Sequence, residues 1–292
     1  MSQKLSNTRL TAATVRLIFA SCLVAVVIAL GCVHIPESRE VRPGIRYEKK
    51  VLARLLFVHI ATIDRKIAKL SLVEAKDPPL KTVSALAAET NAVIAVNAGF
   101  FTKEGSPAGA LKIDGVWRSL PTKNRGVFGF GDDGKVYFDR LEKSFDHPSG
   151  IRSQFLPAPW WDQTDSIVGG APLIIRDKKI VEVASEGTLS SFLHSRYARS
   201  AVCVDDRDLI KLVVVDGGDR RSAEFGSASG MTMKELAEFM LKLGCVHALN
   251  LDGGYSSSLV LNHDRVNQFS ITSLPERPVA NALIATVSSD PR

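Results

Sequence analysis

Three apolar runs in this chain end alike, in an amide or a carboxylate followed by small residues. Residues 92–96 lead into Asn97, Ala98 and Gly99; residues 212–215 lead into Asp216, Gly217 and Gly218; residues 248–251 lead into Asp252, Gly253 and Gly254. A polar group at the end of a buried strand sits at the mouth of a core, and glycine beside it lets the backbone turn sharply and lets a ligand approach. Ser256 and Ser257 follow the second acid, and hydroxyls there suit a phosphate or a sugar. Two carboxylates are what glycosidic cleavage needs, one to protonate the leaving oxygen and one to activate water or attack carbon. A lone Asp-Gly is usually only a turn, as Asp114 and Gly115 are expected to be. Three strand ends of one form argue for a site.

The elements that would position these groups are mostly strands. Residues 55–63, 68–73, 110–113, 127–130, 136–138, 172–175, 201–204, 257–261 and 282–287 read as further short strands broken by turns. Residues 232–243 form the clearest helix. Thr232 and Glu235 have capping-box spacing, Gly244 stops the helix, and Leu236, Phe239, Met240 and Leu243 make its apolar stripe. A second helix is expected over 81–90. Residues 141–166, with Pro148, Pro157 and Pro159 beside Trp160 and Trp161, read as a long loop. The expected class is α+β: mixed, largely antiparallel sheets with a few packed helices, in a single domain.

At this point the motifs resemble the phosphodiester glycosidase domain, the family of the lysosomal uncovering enzyme. The resemblance rests on AVNAGFF (95–101), VGGAPLII (168–175), RSAV (199–202), LVVVDG (212–217), the long run 230–260 that includes NLDGGYSSS, and ERPVANALIATV (276–287). It implies cleavage of a sugar-1-phosphodiester at the sugar C1–O bond. By position it implies Asp216 and Asp252 as the catalytic acids. It also implies Asn97, Arg199, Gly253, Gly254, Ser256 and Ser257 as substrate-binding residues, with Arg199 as a phosphate clamp or, failing that, an ion-pair partner of one acid. Tyr255 stands where the family usually has a third glycine, which would narrow the pocket or offer a ring to a sugar. No cofactor is implied; a divalent cation on the carboxylates is an open alternative, though no dedicated ligand spacing is present.

Two other functions stay open beside that hydrolase: a non-catalytic glycan-binding lipoprotein, and a metal-dependent phosphodiesterase cutting the P–O bond. Nucleic acid is not an expected partner. The formal charge of +6 includes Lys4, Arg9 and Arg16 within residues 1–31, which hold no acid, so +3 remains beyond them, and its cations are scattered. Those three cations precede an uncharged run over 17–30 and then Gly31 and Cys32. The pattern reads as a signal peptide over 1–31 with a lipobox-like end, lipidation at Cys32 and export to the cell envelope as a membrane-anchored lipoprotein. Residues 32–50 are polar and read as a tether or an edge segment, with the glycosidase-like domain over 51–292. Its partner would be a glycan or sugar-phosphate substrate. Cys203 and Cys245, both in apolar settings, are expected as buried free thiols, with a disulfide as the alternative in an oxidising compartment. His194, His247 and His263 match no motif and read as surface or satisfied core histidines.

Overall fold

The computed structural model describes residues 37–52, 56–132, 134–146, 150–181, 186–217, 230–268 and 275–287. The expected signal peptide and Cys32 lie outside them. Among the described residues there are nineteen strands against four α-helices, the longest of ten residues. The α+β expectation is therefore corrected to a mostly β fold. Every strand pairing in it is antiparallel.

The strands form three sheets. The largest runs, in spatial order, β1 (Glu37–Arg42), β2 (Ile45–Leu52), β3 (Leu56–Ile63), β15 (Ile210–Val215), β14 (Arg199–Asp205), β16 (Cys245–Asn250), β12 (Leu173–Arg176) and β13 (Lys179–Ile180). A six-stranded sheet follows the order β10 (Ile151–Ser153), β9 (Val136–Lys143), β8 (Arg125–Phe130), β11 (Ser166–Gly169), β6 (Leu111–Ile113) and β7 (Val116–Ser119). A five-stranded sheet follows the order β18 (Asp264–Arg265), β17 (Leu259–Leu261), β5 (Ile94–Asn97), β19 (Asn281–Thr286) and β4 (Lys69–Glu74).

The unbroken apolar runs of β14 and β15 follow from burial on both faces of the large sheet. Val202, Val204, Leu212 and Val214 face a core shared with the other two sheets, through Phe128, Val96 and Leu283. Ala201, Cys203, Val213 and Val215 face helix α4 (Met233–Lys242) through Leu236, Ala237 and Met240. That helix has the expected capping box, with Thr232 Oγ1 accepting from Glu235 N and the Glu235 carboxylate accepting from Thr232 N. Helix α1 (Val83–Glu89) starts at Thr82, whose Oγ1 accepts from Ala85 N, and covers the five-stranded sheet with Val83, Leu86 and Ala87. The two remaining helices are α2 (Ala158–Gln163) and α3 (Ser190–His194).

Three expectations change. Residues 37–50 are a β-hairpin on the edge of the large sheet, so the edge-segment reading describes them and the tether reading does not. Ile45 and Tyr47 alternate with exposed or half-buried polar neighbours and are buried in the core. Residues 141–166 contain the end of β9, β10 and α2, not a long open loop. Their anchor is the buried Asp139, which accepts from Ser153 Oγ and from the main-chain amides of Phe155 and Leu156, while Trp161 is fully buried beneath the six-stranded sheet. Cys203 and Cys245 form a disulfide between β14 and β16, so the free-thiol expectation does not hold.

Candidate active site

β14 runs antiparallel to both of its neighbours, β15 and β16. The start of β14 and the ends of β15 and β16 therefore lie at one end of the large sheet, and Arg199, Asp216 and Asp252 are delivered there together. β5 and β17 of the five-stranded sheet meet the same end. Asn97 is the clasp. It is fully buried, its Nδ2 donates to the main-chain oxygen of Asp252 at 2.6 Å, and its Oδ1 accepts from Ser200 Oγ at 2.7 Å and Ser258 N at 3.1 Å. Three strand ends from two sheets are thus held by one amide, whose hydrogen-bonding groups all face the protein.

Asp252 follows at the head of a tight turn. Its Oδ1 accepts from Gly253 N at 2.9 Å, and its carboxyl is hydrogen-bonded by Ser256. The residue is half-buried. Burial of the carboxyl pushes its pKa up to about 6, against the Ser256 hydroxyl, the Arg277 charge and the Gly253 amide, which pull it down. Gly253 is needed for close approach, since a Cβ there would stand 3.0 Å from Ala198 O, and Gly254 has φ +59°. Gly254 N donates to Ala198 O, Ser256 N to Gly253 O and Ser257 N to Gly254 O. These amides shape the turn and do not point at a ligand. Ser256 and Ser257 are buried. Ser256 Oγ accepts from Arg277 Nη1 at 3.2 Å, and Ser257 Oγ has no protein partner.

Asp216 stands two strands away, nearly buried. Its Oδ1 accepts from Gln268 N at 3.1 Å. His59 Nε2 lies 3.2 Å from the same oxygen, within ion-pair range but outside hydrogen-bonding geometry, and His59 Nδ1 shares a 2.8 Å hydrogen bond with Tyr47 Oη. Burial pushes the Tyr47 hydroxyl up to about 12, so it is protonated at neutral pH. Asn267, beside Gln268, donates to Ser257 O and accepts from Leu259 N, which fastens the serine turn to the Asp216 side.

Arg199 departs from expectation. Along β14 it alternates with Ser200, so it faces the helix layer while Ser200 faces Asn97. Its Nε donates to Met231 O and its Nη2 to Phe192 O and Ser195 O, and its guanidinium lies 4.8 Å over the Phe192 ring. It is fully buried, pairs with neither acid, and packs behind Gly253. Burial lowers its pKa to about 10, which leaves it cationic. Its Nε and Nη2 thus brace the segments behind the turn, and its buried Nη1 has no protein partner among the described residues. The cation that reaches Asp252 is Arg277, an exposed residue whose guanidinium lies 5.2 Å over Phe101. Sequence reasoning missed Arg277 although its motif was in view, and it missed His59, hidden in an apolar strand. Among the described residues no cluster of three or more His, Cys, Asp or Glu side chains could hold a metal.

The family described as phosphodiester glycosidase matches residues 90–286. The bovine N-acetylglucosamine-1-phosphodiester alpha-N-acetylglucosaminidase is 28% identical over 188 residues, 62% of this chain and 33% of its own length. A Bacillus subtilis relative, the SPbeta prophage-derived uncharacterized protein YomE, is 25% identical over 217 residues, 72% of this chain and 30% of its own. The chain thus spans about a third of these curated relatives. Among solved structures, a hypothetical protein from Synechocystis superposes with a TM-score of 0.71 at 22% identity, over 87% of this chain and 64% of that one. The zebrafish N-acetylglucosamine-1-phosphodiester alpha-N-acetylglucosaminidase catalytic domain, auto-inhibited by its pro-peptide, does so with 0.62 at 20% identity, over 87% and 84%. At these identities the two structures speak for the fold.

Proposed function

This chain belongs to the phosphodiester glycosidase family, and from that premise we propose that it hydrolyses glycosyl phosphodiesters, with Asp252 as proton donor and Asp216 as base. The observation that carries the reading is the pair of acids at one sheet end in unlike surroundings. One is pushed up to about 6 by burial, and the other accepts a hydrogen bond from a main-chain amide with an imidazole beside it. Two carboxylates whose environments differ in this way divide acid and base work between them.

In the proposed step a water attacks the sugar C1. Asp216 takes the water's proton as its oxygen bonds to carbon, and the C1–O bond to phosphate breaks. The phosphate monoester leaves with the bonding electron pair and accepts a proton from Asp252. A phosphate monoester has a second pKa near 6, so a donor of about 6 is matched to it. The leaving group also needs a cation. Arg277 supplies it, in place of Arg199, because its guanidinium is exposed and already hydrogen-bonded to the Ser256 hydroxyl that holds Asp252. Phe101 beneath Arg277 and Tyr255, whose hydroxyl donates to Pro275 O, would line the entrance.

The substrate we propose is a sugar-phosphate linkage in an envelope or exopolysaccharide glycan, met after export and lipid anchoring at Cys32. The support is the leader-like pattern of residues 1–32. No helix among the described residues is long and apolar enough to cross a membrane. The deciding experiment is turnover of a UDP-sugar or a p-nitrophenyl glycosyl phosphodiester by the wild type and by Asp252→Asn. Release of free sugar by the wild type, lost in the variant, is expected. Glycan binding without turnover would replace the proposal with a binding protein. Chelator-sensitive release of sugar phosphate would replace it with a phosphodiesterase.

A further inference from the structure

The far end of the large sheet carries a second surface of different make. An open groove of about 450 Å³ runs between the two larger sheets, over Tyr137, Trp160, Arg176, Asp177 and His247. It lies at the end of β16 opposite Asp252. His247 and Asp252 are five positions apart, about 16 Å at the rise of a strand.

Its chemistry is unusual for plain surface. Trp160 is 45% exposed, although its neighbour Trp161 is fully buried. The Trp160 ring packs against Tyr137 at 5.5 Å, and Tyr137 in turn packs on Trp161 at 5.9 Å, so the exposed ring stands on a fixed base. Arg176 is held from three sides, its Nε lying 3.5 Å from Asp177 Oδ2. Its Nη1 donates to Phe138 O at 3.1 Å, and its guanidinium lies 4.1 Å over Phe155, itself 36% exposed. His247 stacks on Phe138 at 5.8 Å, and its Nδ1 accepts from Asp177 N at 3.3 Å. Burial lowers the His247 pKa, so it is neutral near pH 7 and offers a polar edge, not a charge. The groove thus presents a rigid exposed indole, a pre-set guanidinium and neutral polar edges. An indole offers a flat apolar face with one polar tip, which matches the apolar face of a pyranose. The guanidinium fork matches a phosphate or carboxylate.

We propose that this groove is an accessory binding site for an anionic glycan, a sugar-phosphate polymer, gripped by Trp160 stacking on a sugar ring and Arg176 pairing with a phosphate. It deepens the proposed function by making the substrate polymeric, but binding here needs no catalysis, so its test is separate. The groove's charge is mixed, Asp177 and Asp208 standing among the cations, so polyanion attraction alone does not describe it.

The experiment is calorimetric titration of the full chain with three probes: a poly(glycosyl phosphate) of the teichoic type, a neutral glucan, and inorganic polyphosphate. The proteins are Asp252→Asn alone and with Trp160→Ala or Arg176→Gln added, with melting curves to confirm folding. With turnover blocked by Asp252→Asn in every protein compared, the sugar-phosphate polymer is expected to bind, to lose about tenfold in affinity when Trp160→Ala is added, and to weaken when Arg176→Gln is added. Equal affinity for that polymer with and without Trp160→Ala overturns the proposal, as does polyphosphate binding as tightly as the polymer. Tighter binding of the neutral glucan overturns the role of Arg176. If the wild type cleaves no small diester while these binding results stand, the accessory site survives and the catalytic reading fails.

Discussion

Asn97 holds the main-chain oxygen of Asp252 at 2.6 Å through its side-chain amide, across an interval of 155 residues. The bond joins the end of β5 to the end of β16, and the same amide's oxygen receives Ser200 and Ser258. Asn97→Ala leaves the Ser258 amide and the Ser200 hydroxyl buried without partners. That is expected to cost about 2–4 kcal/mol of stability, read by denaturant melts. Because Asp252 then loses its anchor, turnover falls in kcat far more than in KM. A variant with wild-type kcat would show that the clasp is not needed for the chemistry.

The clasp was half legible in the sequence. Asn97, Asp216 and Asp252 stood out because each closes an apolar run and precedes small residues, and that form survives in the structure. The orientation of Arg199 did not stand out. Both faces of β14 are buried, so its pattern has no polar side to reveal that Arg199 shares a face with Ala201 and Cys203, toward the helix layer. His59 was hidden for the same reason, inside β3 between apolar residues. The β1–β2 hairpin did carry a period-two signal, Ile45 and Tyr47 against Arg46 and Glu48, but the charge around it reads as a tether. Pro157 and Pro159 suggested a loop, yet proline is tolerated at the start of a helix, where Pro157 is the N-cap of α2 and Pro159 lies in its first turn.

Arg277 tests the phosphate contact. Arg277→Ala is expected to raise KM for a glycosyl phosphodiester about tenfold, the value of one charge-assisted hydrogen bond. It also removes a cation that holds the Asp252 pKa down, so the alkaline limb of the pH–rate profile moves upward. Arg277→Lys restores the limb but not the full KM, since an ammonium lacks the fork. An unchanged limb in the alanine variant would separate Arg277 from Asp252.

The Cys203–Cys245 bond closes an interval of 42 residues between two central strands of the sheet that carries the acids. Chain entropy assigns such a loop roughly 4 kcal/mol. Cys203→Ala with Cys245→Ala is expected to lower the melting temperature in non-reducing buffer by an amount that added dithiothreitol reproduces in the wild type. Equal melting of wild type with and without reductant would remove the bond from the stability of this fold.

The proposed water attack predicts a stereochemical outcome. Asp216 follows β15 and Asp252 follows β16, with β14 between them, so the strand axes that deliver the acids are about 9–10 Å apart. An inverting pair sets its carboxyl groups about 6.5–9.5 Å apart, leaving room for the attacking water that the proposed step uses, whereas a retaining pair stands at about 5–5.5 Å. Proton NMR of the first product formed from an α-linked phosphodiester is expected to show the β anomer of the free sugar. Appearance of the α anomer first would assign Asp216 or Asp252 as a nucleophile.

The pH dependence follows from Asp252. Between its ordinary value of 3.8 and about 6, the folded protein holds a proton that the unfolded chain has released. Stability therefore falls as pH rises through that window and stays level above it. Asp252→Asn abolishes the effect. The variant is expected to be roughly 1–3 kcal/mol more stable than wild type at pH 7.5 and to lose that advantage by pH 3.5. Its activity runs the other way. A proton donor must be protonated, so wild-type kcat/KM is expected to decline as pH rises past about 6, and the asparagine variant to lose about 10²–10⁴-fold throughout. The pairing of a more stable protein with a dead one is what a strained catalytic acid produces, whereas a merely structural aspartate would lose stability and activity together. An activity that climbs through pH 6 in the wild type would instead require Asp252 as the ionised partner and pass the proton-donor role to Asp216.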